Sequence, residues 1–254
     1  MQWADEGIVL QARRHGERAL IVQLLTREHG RHAGLLRGGQ SPRSRAAWQI
    51  GNRMTIAWRA RLAEHLGFLT GELLESHAAK LLDEPLRLGA LAAATALAVA
   101  ALPEREPHPR AYRGLLDLIA ALEADDRWAL AYVEWEMALL EELGFGLDLS
   151  SCAATGATEE LVYVSPRSGH AVSAAAGAPY REKLLPLPGF LRGAGRAESD
   201  RSMPRPAPQD LLDGLRLAGF FLEQRVFAPH QAKLPAARGR YVDALAKVLA
   251  IPEA

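Results

Sequence analysis

The chain has 254 residues, with 30 Lys+Arg, 30 Asp+Glu, one cysteine and 49% hydrophobic residues. That length and average composition exclude a disordered or fibrous chain and allow one large or two to three small domains. The formal net charge of +0 hides a segregation that points to nucleic-acid or membrane-surface contact by the basic part: residues 1 to 63 hold 11 Arg and 4 acids (net +7), residues 64 to 160 hold 6 basic and 18 acidic residues (net −12), and residues 161 to 254 hold 13 and 8 (net +5).

From Gly7 to about Glu75 the sequence reads as strands. Gly7-Ile8-Val9-Leu10 and Ala19 to Thr26 are apolar runs separated by the turn His15-Gly16-Glu17-Arg18, which predicts a hairpin. A second turn at Glu28-His29-Gly30 leads to Ala33-Gly34-Leu35-Leu36, and a loop from Gly38 to Arg45 interrupts regular structure. Met54, Ile56 and Trp58 alternate with Arg53, Thr55, Ala57 and Arg59, the period of two of a half-buried strand with basic residues toward solvent. Phe68-Leu69-Thr70 supplies a fifth strand. Five short strands in so short a stretch suit a small closed barrel of the OB-fold kind, which leaves few sheet edges.

From His77 onward helices take over. An Ala-rich run carrying Leu81, Leu82, Leu86, Leu88, Leu91, Leu97 and Leu102 is followed by a break from Pro103 to Pro109. Tyr112, Leu115, Leu116, Ile119 and Leu122, then Trp128, Tyr132, Trp135, Leu139 and Leu143, repeat at spacings of three and four, and Gly144 stops the second helix. Between Ser150 and about Arg205 that periodicity disappears; Leu161 to Val164 and His170 to Val172 flank a Ser-Pro-Arg-Ser-Gly turn and read as a hairpin in a loop-rich insert. Helices resume from Leu211 to Val226 and from Val242 to Leu249. The expected organisation is therefore 1–76 barrel, 77–149 with 206–254 helical domain, and 150–205 insert.

Enzyme signatures are absent: there is no G-x-x-x-x-G-K-[S/T], no G-x-S-x-G, no H-E-x-x-H and no G-x-G-x-x-G. The lone Cys152 rules out an intramolecular disulfide framework and a four-thiolate zinc site, and fits a reducing compartment. Met1 to Leu10 lacks a secretory-signal pattern, and the longest charge-free run, Leu88 to Pro103, is shorter than the roughly 20 residues a bilayer needs. The expectation is a cytoplasmic protein that makes no use of a membrane, a metal or a cofactor.

The basic N-terminal part has a more specific shape. Arg27, Arg31, Arg37, Arg43, Arg45, Arg53, Arg59 and Arg61 share a window with a single acid, Glu28, and every cation there is arginine, whose planar fork matches phosphate and stacks on bases. Trp58 shares the parity of Met54 and Ile56 and reads as core, whereas Trp48, beside Arg43 and Arg45, is open to a base-stacking role or a core role. Arg238 and Arg240 form a second basic element that either extends the nucleic-acid surface or pairs with the acidic helices.

The order of several short segments resembles one family over about 240 residues. These segments are Glu6-Gly7-Ile8-Val9-Leu10, His15-Gly16-Glu17, Leu24 to Gly30, Arg37-Gly38-Gly39 through Arg43-Ser44-Arg45, Leu140 to Phe145, and Leu234-Pro235-Ala236-Ala237-Arg238. Together they resemble the bacterial RecO recombination mediators. The resemblance implies an α+β multidomain chain: an N-terminal OB-fold β-barrel, then an all-α domain with an embedded zinc-ribbon-like β-hairpin insert. It implies a non-enzymatic, nucleoid-associated role in which single- and double-stranded DNA are bound and complementary strands annealed. It also implies partners: the acidic C-terminal tail of single-stranded DNA-binding protein, and RecR, with RecA loaded indirectly. Arg87, Arg110, Arg113 and Arg127 are the candidates for a tail site. One departure is plain: where metal-binding members have two C-x-x-C pairs, this chain has Cys152, Thr155, Ser173 and Ala176, so the insert is a degenerate ribbon and zinc should be absent. Outside the resemblance, an OB-fold RNA-binding or translation-associated module and a small-molecule enzyme with a site assembled around His170 or His230 are the other readings.

Overall fold

The computed structural model of the chain describes residues 1–62, 64–192 and 205–250. Two compact units are present, one comprising Met1–Asp125 with Pro235–Tyr241, the other Asp126–Leu234 with the chain from Val242 on.

The first unit opens with five strands: β1 (Gln2–His15), β2 (Ala19–Thr26), β3 (Gly30–Leu36), β4 (Arg53–Arg59) and β5 (Phe68–Glu75). They close into a barrel in the order β1-β2-β3-β5-β4. β1 is long enough to serve both neighbours: Gln2 to Ile8 pair with β4, and Gly7 to His15 pair with β2 across an irregularity between Val9 and Gln11. The seam between β3 and β5 is parallel and only two residue pairs long, Leu35 with Phe68 and Leu36 with Leu69. Inward-facing Val9, Leu20, Val22, Leu24, Leu36, Met54, Ile56, Trp58 and Leu69 fill the interior, the alternation that half-buried strands require.

The Gly38–Arg45 segment is not wholly irregular. Ser41 caps a short helix α1 (Pro42–Ala47) by accepting a hydrogen bond from the Ser44 amide, with Pro42 at the first helical position, where its missing N–H costs nothing. α1 delivers Trp48 into the barrel core at 4% exposure. Just beyond it, buried Asn52 donates to the carbonyls of Ala46 and Ala47 and accepts from the amides of His77 and Ala78, tying the end of α1 to the chain entering the helices.

Helices α2 (Pro85–Ala101) and α3 (Pro109–Ala124) belong to this same unit, α2 packing against β1. Their connecting loop lies on the barrel: the Arg105 amide donates to the Arg31 carbonyl, and Arg31 donates from Nε to the Leu102 carbonyl at 2.7 Å.

The second unit contains α4 (Trp128–Glu142), packed on α6 (Pro208–Phe221), and a three-stranded sheet in the order β7-β6-β8, with β6 (Leu161–Val164), β7 (Ala171–Ser173) and β8 (Leu185–Pro186). The expected hairpin is the β6–β7 pair. A short helix α5 (Ala174–Gly177) follows β7, and α7 (Ala236–Leu249) closes the described chain. Residues 193 to 204 of the expected insert lie outside the described residues. No helix among the described residues is long and apolar enough to cross a membrane.

Candidate nucleic-acid interface

Residues directly opposite one another in a sheet share a face. Following the register outward across the barrel from Gln2 gives Arg59 on β4, Phe68 on β5, Leu35 on β3, Ile21 on β2 and Arg13 on β1. Each of these alternates with an inward residue, Trp58, Leu69, Leu36, Leu20 and Ala12 among them, so the whole row faces out. An apolar strip of Phe68, Leu35 and Ile21 therefore runs between arginines.

The Gln2, Arg59, Phe68 and Leu35 part of this row floors two adjoining grooves of about 700 and 750 Å³, which share those four residues. Arg61, His65 and Leu66 wall one of them; Arg37 walls the other. Phe68 is 41% exposed, and the Arg37 guanidinium carbon lies 4.2 Å above its ring centroid, a cation–π contact. The wall is held from beneath. Trp58 Nε1 donates to the carbonyls of Ala33 and Leu66, and Arg105 donates to those of Glu64 and His65. Gly67, at φ +69, lies so close over the Trp58 indole that a Cβ would come within 2.5 Å of it.

A second basic group adjoins the row. The tip of the β1–β2 hairpin exposes Arg13, Arg14, His15 and Arg18. Gln40 ties this tip to the segment leading into α1, its side chain donating to the carbonyls of Gly16 and Ala19 and its amide to that of Arg18. Exposed Arg43 and Arg45 follow on α1.

The structure thus gathers Arg37, Arg59 and Arg61 around Phe68, where β3 and β4 end and β5 begins; it places Arg43 and Arg45 on α1, whose last turn is tied to Asn52 just before β4, and sets other expected residues apart. Arg27 is exposed, but it follows β2 at the Thr26–Gly30 end of the β2–β3 hairpin, whereas Arg37 leaves from the opposite end, about 20 Å away at strand rise. Its turn is pinned by Asp5, which accepts from the Glu28 amide and contacts His29 Nδ1, both at 2.9 Å. Burial pushes the Asp5 carboxyl up, but the His29 contact and the Glu28 and Glu6 amides outweigh it and hold the group below its usual range.

Four expected binding residues are corrected. Trp48 is in the core and offers no face to a base. Arg31 is spent on Leu102, Gln23 and Glu104, at 2.7, 2.8 and 3.0 Å. Arg53 is engaged by Glu6 at 2.6 Å and Glu75 at 3.6 Å, and the Glu6 hydrogen bond raises its pKa further. Arg238 is buried in the first turn of α7 and is removed from any surface, while Arg240 is exposed but no ladder pairing brings it to the row. For the three arginines the physical reason is shared: phosphate is bound best by a guanidinium not already desolvated or paired.

Of the tail-site candidates, Arg110 and Arg113 are exposed together on the first turn of α3, Arg113 donating to the Pro109 carbonyl. Arg87 is half-buried and donates to the Leu122 carbonyl. Arg127, in the second unit, is half-buried and its charge acts on Glu134.

Residues that sequence reasoning passed over are Phe68, Leu35, Ile21 and the hairpin cations Arg13, Arg14 and Arg18. The hairpin cations were visible as a cluster around a turn. Phe68 carried no such signal, because only the register shows that it faces out between arginines.

In the second unit Cys152 is buried, its Sγ accepting the Ser173 amide at 3.3 Å. The hydroxyls of Ser173 and Thr155 pull its thiol down to about 6. One thiolate, two hydroxyls and the methyl of Ala176 do not make a zinc ligand set, so these residues do not fit the ion of a zinc ribbon.

The comparisons agree with this architecture. The family model described as recombination protein O N terminal matches residues 1–77, and that described as recombination protein O C terminal matches residues 82–234. The DNA repair protein RecO of Rhodospirillum centenum is 54% identical over 96% of this chain and 94% of its own length. Those of Rhodospirillum rubrum and Ruegeria sp. are 50% and 46% identical, covering 96% and 97% of this chain and 96% and 99% of their own lengths. A strand-built N-terminal part followed by helices, matched in that order, defines a protein of DNA repair and recombination. The chain belongs to the RecO family, and the reading as an RNA-binding or translation module is not favoured.

Proposed function

We propose that this chain serves recombinational repair by holding DNA on the basic end of its barrel, which works as an OB-type module, without making or breaking bonds. The observation that carries the reading is the outward row in which Arg13 and Arg59 flank Phe68, Leu35 and Ile21. Phosphate contacts by these arginines and by Arg37, Arg61, Arg43 and Arg45 release counterions and are indifferent to sequence. Such a surface accepts single strands and duplex alike. Two complementary strands held on it lose much of their mutual repulsion, which favours annealing.

The acidic stretch from 64 to 160 repels phosphate and suits protein partners instead. In this reading RecR docks away from the DNA, the acidic tail of single-stranded DNA-binding protein meets Arg110 and Arg113, and RecA is loaded onto the strand so cleared, in the bacterial cytoplasm at the nucleoid. The test is binding of labelled single- and double-stranded oligonucleotides over a salt series, comparing wild type with Arg43→Ala/Arg45→Ala and Arg59→Ala/Arg61→Ala. Each lost phosphate contact should lower the salt slope by about one. Absence of binding at low salt, or a slope that both double variants leave unchanged, would overturn the reading.

A further inference from the structure

We infer that the Phe68 ring is the seat of an unpaired nucleobase of single-stranded DNA, and that Arg37 holds this seat while the groove is empty. The inference deepens the DNA-binding reading and rests on it.

Phe68 is a large ring left 41% exposed on the outer face of the barrel, at the two-pair seam between β3 and β5. Leu35 stands beside it in the same row, while Arg59 opposite it and Arg61 close by supply positive charge. An apolar peptide side chain could fill such a groove but would gain nothing from the surrounding cations. A nucleic-acid strand uses both features, its phosphates meeting the arginines and one base meeting the ring. Stacking on an aromatic face is open to every base, so the seat adds affinity without reading sequence.

Arg37 already occupies the place of such a ligand. Its flat guanidinium carbon lies 4.2 Å above the Phe68 centroid, where a stacked base would lie. When a base takes that place, the guanidinium moves off the ring and becomes one more phosphate contact. A duplex cannot follow this course, because its bases face one another and one would first have to be unpaired and taken out of the stack. The arginines are therefore common to both forms of DNA, and Phe68 serves only the single strand. A strand that anneals on the surface loses its hold on Phe68, which favours release of the duplex product.

The test uses the full chain with labelled oligothymidylate, an abasic oligonucleotide of equal length, a duplex and oligouridylate. Phe68→Ala should weaken oligothymidylate binding about tenfold or more, with the salt slope, abasic binding and duplex binding unchanged. Phe68→Trp should restore affinity, Phe68→Leu should not, and all three should melt like wild type because the ring is exposed. Arg37→Ala should lower the salt slope for both single strand and duplex. If Phe68→Ala binds oligothymidylate like wild type while Arg59→Ala/Arg61→Ala does not, the seat is wrong and the DNA-binding reading stands. Equal losses on abasic, duplex and single-stranded DNA also overturn the seat. Binding of oligouridylate without oligothymidylate overturns the assignment to DNA, and no binding of any probe at low salt removes the underlying reading.

Discussion

Arg31 and Glu104 face each other across the barrel and the α2–α3 loop, with Nη1 3.0 Å from Oε1. The same guanidinium donates to the Leu102 carbonyl and to Gln23 Oε1, and its side chain is only 14% exposed. Arg31 is therefore a fastening of the first unit, although by sequence it belongs to the same arginine series as Arg59. Arg31→Ala should cost about 1 to 3 kcal/mol, since hydrogen bonds to a charged group are lost and their partners stranded, while leaving the salt slope of DNA binding unaltered. Urea unfolding together with salt-titrated binding separates the two effects. Arg59→Ala should do the reverse, with stability near wild type and a slope lower by about one.

Gly30 lies beneath the same loop. It has φ +66, and a Cβ there would stand 1.9 Å from the Glu106 carbonyl oxygen, a backbone atom with no freedom to yield. Gly30→Ala should destabilise by about 2 kcal/mol or more, from left-handed strain and displacement of the loop together. A wild-type denaturation midpoint in this variant would show that the loop does not rest on the β2–β3 turn.

His32 links stability to pH. It is 6% exposed, sits edge-on to Trp3 and Trp58, and has its pKa lowered to about 4, by burial first and by the Arg105 charge second. Because the folded value is below the unfolded one, the unfolded chain binds the extra proton between pH 6.5 and about 4. Stability should thus fall as pH falls through that window, by up to about 3 kcal/mol at its lower end. His32→Phe keeps an edge-on ring without a titrating group and should flatten the slope in that range. Asp5 acts only lower down: its stabilisation is present above the ordinary carboxylate value and is lost as pH falls beneath it.

Cys152, the chain's single cysteine, makes its thiol titration unambiguous. Thiolate absorbance should follow a pKa near 6, set by the Ser173 and Thr155 hydroxyls. Replacing them in Ser173→Ala and Thr155→Val should move the transition up toward the ordinary value of 9. Treating the protein with a metal chelator should leave its melting temperature unchanged, because the insert offers no zinc ligand set.

Much of the fold was legible because it rests on local regularities. Alternation of Met54, Ile56 and Trp58 against Arg53, Thr55 and Ala57 marks β4 and its inner face, and spacings of three and four mark α3 and α4. The helix α1 was missed although Ser41-Pro42 is a good start signal, because six residues flanked by Gly and Ser resemble a loop by composition. The family was legible too, through short segments in a fixed order.

The sequence by itself determined that positive charge is concentrated in the first 63 residues, that arginine alone carries it there, and that the chain builds strands first and helices afterwards. Only the tertiary structure decided which arginines are free. Register aligns Arg13, Phe68 and Arg59 on one outer row, and packing withdraws Arg31, Arg53, Arg238 and Trp48. The reason is physical: charge and periodicity are properties of residues and their near neighbours, whereas availability to phosphate depends on what the remainder of the chain brings within about 3 Å of each guanidinium.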